Sequence, residues 1–415
     1  METELEAALA GIITQGMEVV AKSEKLETKL IRAGAEKGEI VIMTRRGYGS
    51  LGIGKGLSTK INANIGTSPM AVNPMEEVEK AKVAETYGAH TISDLSTGGD
   101  IDAIRRSVFA ATSLPITTVP IYQIVAKRHS FHKISHRDLI SMIEKHVEEG
   151  VSSIVIHAGF TLKMLEKLKK KRRVMGMVSR GGSFTAAWMI EHQAENPFLE
   201  RFDEILKILR KRDVVLSLGN SMRSGCIHDL RDEPQLFEIK MNFELAKKAN
   251  AQGVQVIIEG MGGHVNAGEI WKYVKYHKKM IENRPLFVAG PLPIDVAVGY
   301  DHIAACVGAS IAAGAGADYL CHITPSEHLS LPTLDDIKEG VIAFRIAAHI
   351  GDSMKYGLSN RDLELAKRRR KLDWEGQFRY ALYPERAMAL HPQKNGTCIM
   401  CGRYCAIKTM NKYFG

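Results

Sequence analysis

The sequence predicts an α/β fold: a closed (β/α)8, TIM-like barrel preceded by a helical cap and followed by a helical, cysteine-bearing tail. Three observations point there. Short β-branched runs alternate with amphipathic, helix-patterned stretches through most of the chain, the pattern of a parallel sheet with crossover helices. The number of runs favours a closed barrel over an open sheet. Most of the runs also end in glycines and polar residues, which places chemistry at the C-terminal mouth where barrel enzymes carry their sites.

Residues 1–55 read as the cap. A helical segment is followed by the glycine-rich stretch 47–56 (GYGSLGIGKG), expected to be a flexible connector because Lys55 precedes Gly56, not the Ser or Thr that ends a phosphate-cradling loop. Residues 56–350 are expected to form the catalytic barrel. They hold strand-like runs at 60–66, 91–95, 116–120, 153–159, 175–181, 214–219, 254–260, 286–290 and 318–324, nine where a barrel needs eight, so one of them is expected to be irregular. Residues 351–390 are charged and helical in pattern, with 367–371 (KRRRK) expected as a solvated helix face. Residues 391–415 open with the helix-breaking HPQKNG and end in three closely spaced cysteines.

Composition excludes several classes. With 415 residues, 45% of them hydrophobic, the chain can bury a large core and is globular. Its apolar stretches are too short or too rich in small residues for a bilayer, and METELEAALAGIITQ has neither a basic region nor a cleavage site, so a soluble, cytoplasmic protein without membrane contact is expected. The formal charge of +9 suits an anionic partner, but both signs are interspersed. The densest basic run, 167–173 (KLKKKRR), follows an amphipathic stretch and is explained by cations at the negative end of a helix dipole. Aromatic residues do not interleave with it, and no nucleic-acid partner is expected.

Six cysteines are present: Cys226, Cys306, Cys321, Cys398, Cys401 and Cys405. Half of them crowd into eight residues, and metal ligation explains this better than a disulfide framework. Three thiolates at C-x2-C-x3-C spacing can bind three irons of a 4Fe-4S cluster and leave the fourth open, as chelation of S-adenosylmethionine requires. The alternative, structural zinc, would recruit a fourth Cys or His at matched spacing; none follows Cys405, and His391 lies seven residues before Cys398.

The run-end motifs stand in a particular order: NANIGTS, DLSTGGD, TVPIYQ, IHAG, VSRGGSF, GYDH, TPSEHLSLP and the terminal cysteines. In these, from about residue 36 to 409, the chain resembles the phosphomethylpyrimidine synthase family of radical enzymes. The resemblance implies a (β/α)8 barrel, a 4Fe-4S cluster on Cys398, Cys401 and Cys405, S-adenosylmethionine, and 5-aminoimidazole ribotide as substrate. It also implies an external one-electron reductant and a homodimer whose cluster tail serves the partner's barrel. Asn64, Tyr122, His157, Ser179, Arg180, Gly181, Arg223 and Glu259 are implied substrate contacts, and His264 and His328 ligands of a separate divalent metal, zinc or iron. The roles are chemically sound. Ser179, Arg180 and the Gly181 and Gly182 amides suit a phosphate, Glu259 an amino or hydroxyl group, and neutral imidazoles a divalent metal. His302 and His322 are expected to be satisfied core histidines.

The chain departs from the family pattern at the expected mouth. Ser93 replaces a methionine before DLSTG. Asn220, Ser221, Met222 and Arg223, continuing through Ser224 to Gly225, stand where relatives read D-G-L-R-P-G, so an acid and a proline are lost. Residues 259–264 read EGMGGH in place of E-G-P-G-H, Phe287 replaces a tyrosine, and the cysteine spacing is one residue shorter than the C-x2-C-x4-C form. These substitutions keep the phosphate and cluster residues while reshaping the pocket. They point to the family's paralogue, 5-hydroxybenzimidazole synthase, which acts on the same ribotide to make a cobamide lower ligand, with phosphomethylpyrimidine synthase itself as the alternative.

Overall fold

The chain's first two strands lie outside the barrel. β1 (Ile40–Arg45) and β2 (Gly49–Gly54) form an antiparallel hairpin in which Ile40 faces Gly54 and Arg45 faces Gly49. The glycine-rich stretch expected as a flexible connector is therefore an ordered strand. Leu51 and Ile53 alternate along it with glycines, and Ile53 is fully buried; a Cβ on Gly52 would overlap Val20, so the glycines permit close packing where a connector was expected. Three short helices, Glu4–Leu9, Gln15–Glu24 and Thr28–Glu36, cover the hairpin through Met17, Val20, Ile31, Ile40 and Ile42. Its other face packs Val41, Met43 and Ile53 against Val215, Ile257 and Tyr319. Gln255 ties the hairpin down through both backbone groups of Ile42, at 2.7 and 3.0 Å.

Val215, Ile257 and Tyr319 belong to the barrel, whose N-terminal end the hairpin closes. β3 (Lys60–Ile65), β4 (Thr91–Asp94), β5 (Ile116–Thr118), β6 (Ser153–Ile156), β7 (Val215–Leu218), β8 (Val256–Glu259), β9 (Leu286–Ala289) and β10 (Tyr319–Cys321) run parallel in chain order, and β10 closes on β3 through Tyr319 opposite Lys60. The strands are short and nearly all buried, as a sheet flanked by helices on one side and filled by side chains on the other requires. The computed structural model describes residues 3–170, 173–229, 231–260, 262–391 and 396–414.

The surplus ninth run, 175–181, is a loop that leads into the helix Arg180–His192. Its backbone is committed elsewhere: Val174 and Met175 donate their N–H groups to the Asp229 carboxylate at 2.7 and 2.8 Å, and Ser179 caps the following helix. β-branched composition does not make a strand once those donors are taken.

The chain separates into two units, Met1–Asp352 and Ser353–Gly415, and the helix Leu334–Tyr356 runs through the boundary expected at residue 350. The second unit holds the helices Asn360–Arg370, Trp374–Tyr380, Pro384–Leu390 and Ala406–Phe414. Arg361 joins the first two of these, donating to the carbonyls of Tyr380 at 2.7 Å and Ala381 at 2.6 Å. Among the described residues no helix is long and apolar enough to cross a membrane.

Candidate active site

The C-terminal ends of the strands surround an inner cavity of about 170 Å3, lined by residues from all eight strand ends together with Tyr122, Ser179 and Glu327. Asn64, Ser93, Tyr122, His157, Ser179, Asn220, Arg223, Glu259 and Phe287, separated by more than 220 positions, all face it. A second, outer cavity of about 430 Å3 opens beside it, lined by Arg180, His322, Glu327 and His328; Asn64, Leu95 and Glu327 border both.

Two glycines hold His157. A Cβ on either Gly181 or Gly219 would run into the imidazole, so these positions accept no side chain while the ring stays in place. His157 Nε2 lies 3.2 Å from Ser179 Oγ, whereas its buried Nδ1 has no partner. Burial, helped by the nearby Arg223 cation, pushes the imidazole's pKa down to about 3, so it is neutral at physiological pH. A buried neutral imidazole with an unused nitrogen is set up to exchange one hydrogen bond with a bound molecule.

The anion-binding end is partly pre-committed. Gly182 gives its N–H to Ser179 Oγ at 3.2 Å, so one of the two amides expected to bind phosphate has a partner already. The Arg180 guanidinium lies 5.3 Å from the Tyr122 ring centroid, facing the outer cavity. Burial raises the pKa of Tyr122 and keeps the phenol protonated.

The loop after β7 divides sharply. Asn220 and Arg223 reach the cavity, but Ser221 and Met222 do not line it. Their backbone N–H groups each donate to the Glu238 carboxylate at 2.7 Å, and the Met222 side chain lies in the hydrophobic core. Asn242, one turn further along the helix Glu233–Ala251, donates to Gly219 O at 3.2 Å. Glu259 at the end of β8 accepts from Ser217 Oγ at 2.8 Å, and burial raises its pKa. Phe287 stacks on Tyr319 with centroids 4.1 Å apart, and Ser93 donates to Asn62 Oδ1 at 2.9 Å.

His264 and His328 come together with ring centroids 5.2 Å apart. His264 Nδ1 is 2.6 Å from Asp295 Oδ1, a carboxylate that fixes the tautomer and leaves Nε2 as the free donor; this is the arrangement of a metal-binding histidine. His328 adopts a left-handed backbone with φ 63°. Among the described residues no three His, Cys, Asp or Glu side chains converge on one ion-sized point, so a metal on this pair would take its other ligands from solvent or substrate. Met261, in the lengthened loop between Glu259 and His264, lies outside the described residues. His322 accepts the Asn64 N–H at 3.2 Å and is held neutral by burial, its pKa lowered to about 4.

In the second unit Cys398 is half-buried, Cys401 exposed and Cys405 buried. The Cys401 backbone N–H points at the Cys398 sulfur and, with the N–H of Met400, lowers that thiol's pKa. Each thiolate of an open 4Fe-4S cluster binds a different iron, so such a cluster does not need the sulfurs to meet at one point. A thiol with a stabilised thiolate beside two others fits that group's donor set.

Sequence reasoning missed four residues. Glu327 borders both cavities, with its pKa raised by burial; Cys321 faces the inner cavity, its thiol pushed up to about 12 by burial; Asp295 holds His264; Glu238 holds the β7 loop. Glu327 was within the TPSEHLSLP motif and could have been found there. Nothing local marks the other three, since their partners lie 31 or more, 16 to 17, or about 257 positions away.

The model of the radical SAM ThiC family matches residues 3–412. Phosphomethylpyrimidine synthase of Thermoanaerobacter sp. (strain X514) is 44% identical over 100% of this chain and 98% of its own, and that of Dehalococcoides mccartyi (strain CBDB1) is 46% identical with the same coverage. The protein of that name from Geobacter metallireducens is 45% identical over 99% of this chain and 97% of its own. Among solved structures, dihydropteroate synthase of Yersinia pestis covers 74% of the chain at 13% identity with a TM-score of 0.42, too low to carry an argument.

Proposed function

The chain belongs to the radical SAM ThiC family, and from that premise we propose that it is a phosphomethylpyrimidine synthase, converting 5-aminoimidazole ribotide to hydroxymethylpyrimidine phosphate. The observation that carries this reading is the inner cavity, in which Asn64, Tyr122, His157, Ser179, Arg223 and Glu259 converge in a chain that aligns end to end with enzymes of that name.

A 4Fe-4S cluster on Cys398, Cys401 and Cys405, with S-adenosylmethionine, would supply the radical that attacks the ribose. The remaining work belongs to the cavity. Arg180 and Ser179 would bind the phosphate through a charged fork and a hydroxyl. Glu259 would accept from an amino or hydroxyl group, and neutral His157 would orient the ribose through its unpartnered Nδ1. Enclosure of these groups would hold the substrate in range and exclude water. His264 and His328, steadied by Asp295, would hold a divalent metal, zinc or iron. A homodimer and an external one-electron reductant complete the proposal, with solution in the cytoplasm.

A second reading is 5-hydroxybenzimidazole synthesis from the same ribotide, the product expected from the sequence departures. It is favoured by one observation: Ser93, Asn220 and Phe287, three of the departing positions, line the inner cavity itself. The full-length similarity to phosphomethylpyrimidine synthases favours the first. Anaerobic incubation of reconstituted protein with the ribotide, S-adenosylmethionine and a strong reductant, followed by mass spectrometry, separates them. Hydroxymethylpyrimidine phosphate supports the first reading, 5-hydroxybenzimidazole replaces it with the second, and neither product with the cluster intact would sink both.

A further inference from the structure

Two cations reach the site from segments far apart in the chain. Arg180 opens the helix Arg180–His192, next to its cap Ser179, and Arg223 lies in the loop after β7. Tyr122 and Glu327 each feel the charge of both guanidinium groups, so the two cations face one space. Two like charges that share an anion also repel each other, and something must hold their backbones at one separation.

Arg173 ties the two segments together. Its guanidinium, on a side chain only 2% exposed, meets Asp232 with two bonds, Nε to Oδ2 and Nη2 to Oδ1, both 2.7 Å. Nη2 also donates to Met222 O at 3.0 Å, the carbonyl just before Arg223, and Nη1 donates to Gly176 O at 3.2 Å, in the loop that leads to Ser179. One planar group thus serves three pieces of chain. Asp232 in turn caps the helix Glu233–Ala251, accepting the Gln235 N–H at 3.2 Å, and that helix carries Glu238, which takes the Met222 N–H. Met222 is therefore held from both sides, its N–H by Glu238 and its C=O by Arg173.

The two segments also touch along their length. Asp229 accepts the N–H groups of Val174 and Met175. A Cβ on Gly225 would lie 2.5 Å from Val178 Cγ1, and one on Gly182 would lie 2.7 Å from Ser221 Cβ, so both glycines mark a close approach of one segment to the other. A buried ion pair is weak evidence for stability, because well-packed apolar side chains of similar volume often serve as well. The guanidinium fork offers what they cannot, several donors in one rigid plane.

We infer that Arg173 is a positioning residue for anion binding. With Asp232 it clasps the loop that leads into Ser179 and Arg180 to the loop that carries Arg223, and so holds the two cations at the separation that a phosphate group on the ligand requires. The inference rests on the proposed reading of the cavity as the site of a phosphorylated substrate.

The test uses full-length protein with its cluster reconstituted, as wild type, Arg173→Lys and Asp232→Asn, each checked for a cooperative unfolding transition. Lysine keeps a cation on Asp232 but has no fork to reach Met222 O and Gly176 O as well, while asparagine still caps the helix but weakens the clasp. Calorimetry measures the binding of 5-aminoimidazole ribotide and of the corresponding riboside, which lacks the phosphate. In each variant the ribotide's affinity is expected to fall roughly tenfold, the worth of one charge-assisted hydrogen bond, while the riboside's affinity and the iron content stay near wild type. The protein then loses its preference for the phosphorylated ligand. Equal loss for both ligands makes the pair a structural support alone and overturns the inference, as does unchanged affinity for the ribotide. If one variant does not fold, the other decides. If wild type binds neither ligand, the proposed substrate is wrong, and inorganic phosphate becomes the probe: weaker phosphate binding in the variants upholds the clasp, and equal binding overturns it.

Discussion

Glu238 accepts the Met222 backbone N–H at 2.7 Å, in a position closed to solvent. Its other oxygen takes the Ser221 N–H, so one carboxylate sets the course of the loop that delivers Asn220 and Arg223 to the cavity. The cost of burying it shows in its pKa, pushed up to about 7 by burial.

Glu238 should therefore make substrate binding pH-dependent. Above pH 7 both oxygens accept; below it a proton occupies one and an N–H loses its partner, so KM is expected to rise as pH falls through 7. In Glu238→Gln, KM should be several-fold higher across the range and this step should vanish. The linkage has the opposite sign for stability. A raised acid pKa means the folded state holds the proton more tightly than the unfolded state, so this group's contribution falls as pH rises from about 4.5 to 7. KM profiles and unfolding midpoints over that range check both.

Asp295 should govern the metal affinity of the histidine pair. Asp295→Asn keeps the shape but offers His264 Nδ1 a weaker acceptor, and the loss expected for such an outer partner is about 10–100-fold in affinity. Competition with a zinc chelator measures it. Unchanged affinity would exclude Asp295 as the group that orients the ligand.

Gly181→Ala should displace His157. The added methyl occupies the imidazole's space, and overpacking of this kind costs about 1–3 kcal/mol. The unfolding midpoint should fall and KM should rise, while cluster loading, which depends on residues of the other unit, stays at the wild-type level. Iron analysis beside the kinetics separates the two effects.

Cys398→Ala, Cys401→Ala and Cys405→Ala should each abolish the brown charge-transfer absorbance and reductant-driven turnover. Full iron content in any of the three would remove that cysteine from the cluster.

The eight barrel strands were legible because each is a short β-branched run between helix-patterned stretches, and the cysteine tail stands out because its three thiols lie within eight residues. Two local patterns misled. The 175–181 run has strand composition, but its neighbouring N–H groups are taken by Asp229, 54 and 55 positions away. The glycines of 47–56 suggest a loose connector, yet the close approach of Val20 to Gly52 on one face and the burial of Ile53 against the barrel end on the other make the stretch a strand.

What the sequence by itself determined is the set of side chains capable of chemistry, since barrel geometry sends the residue at the end of each strand to one mouth. What only the tertiary structure decided is which of them face the cavity and in which state of charge. Ser221 and Met222 lie beside Asn220 and Arg223 in the chain, but Glu238 turns them away from the cavity, while burial, helped by the Arg223 cation, makes His157 neutral and burial pushes the Cys321 thiol's pKa up. Desolvation and long-range hydrogen bonds depend on what packs around a group, and that is not encoded in its immediate neighbours along the chain.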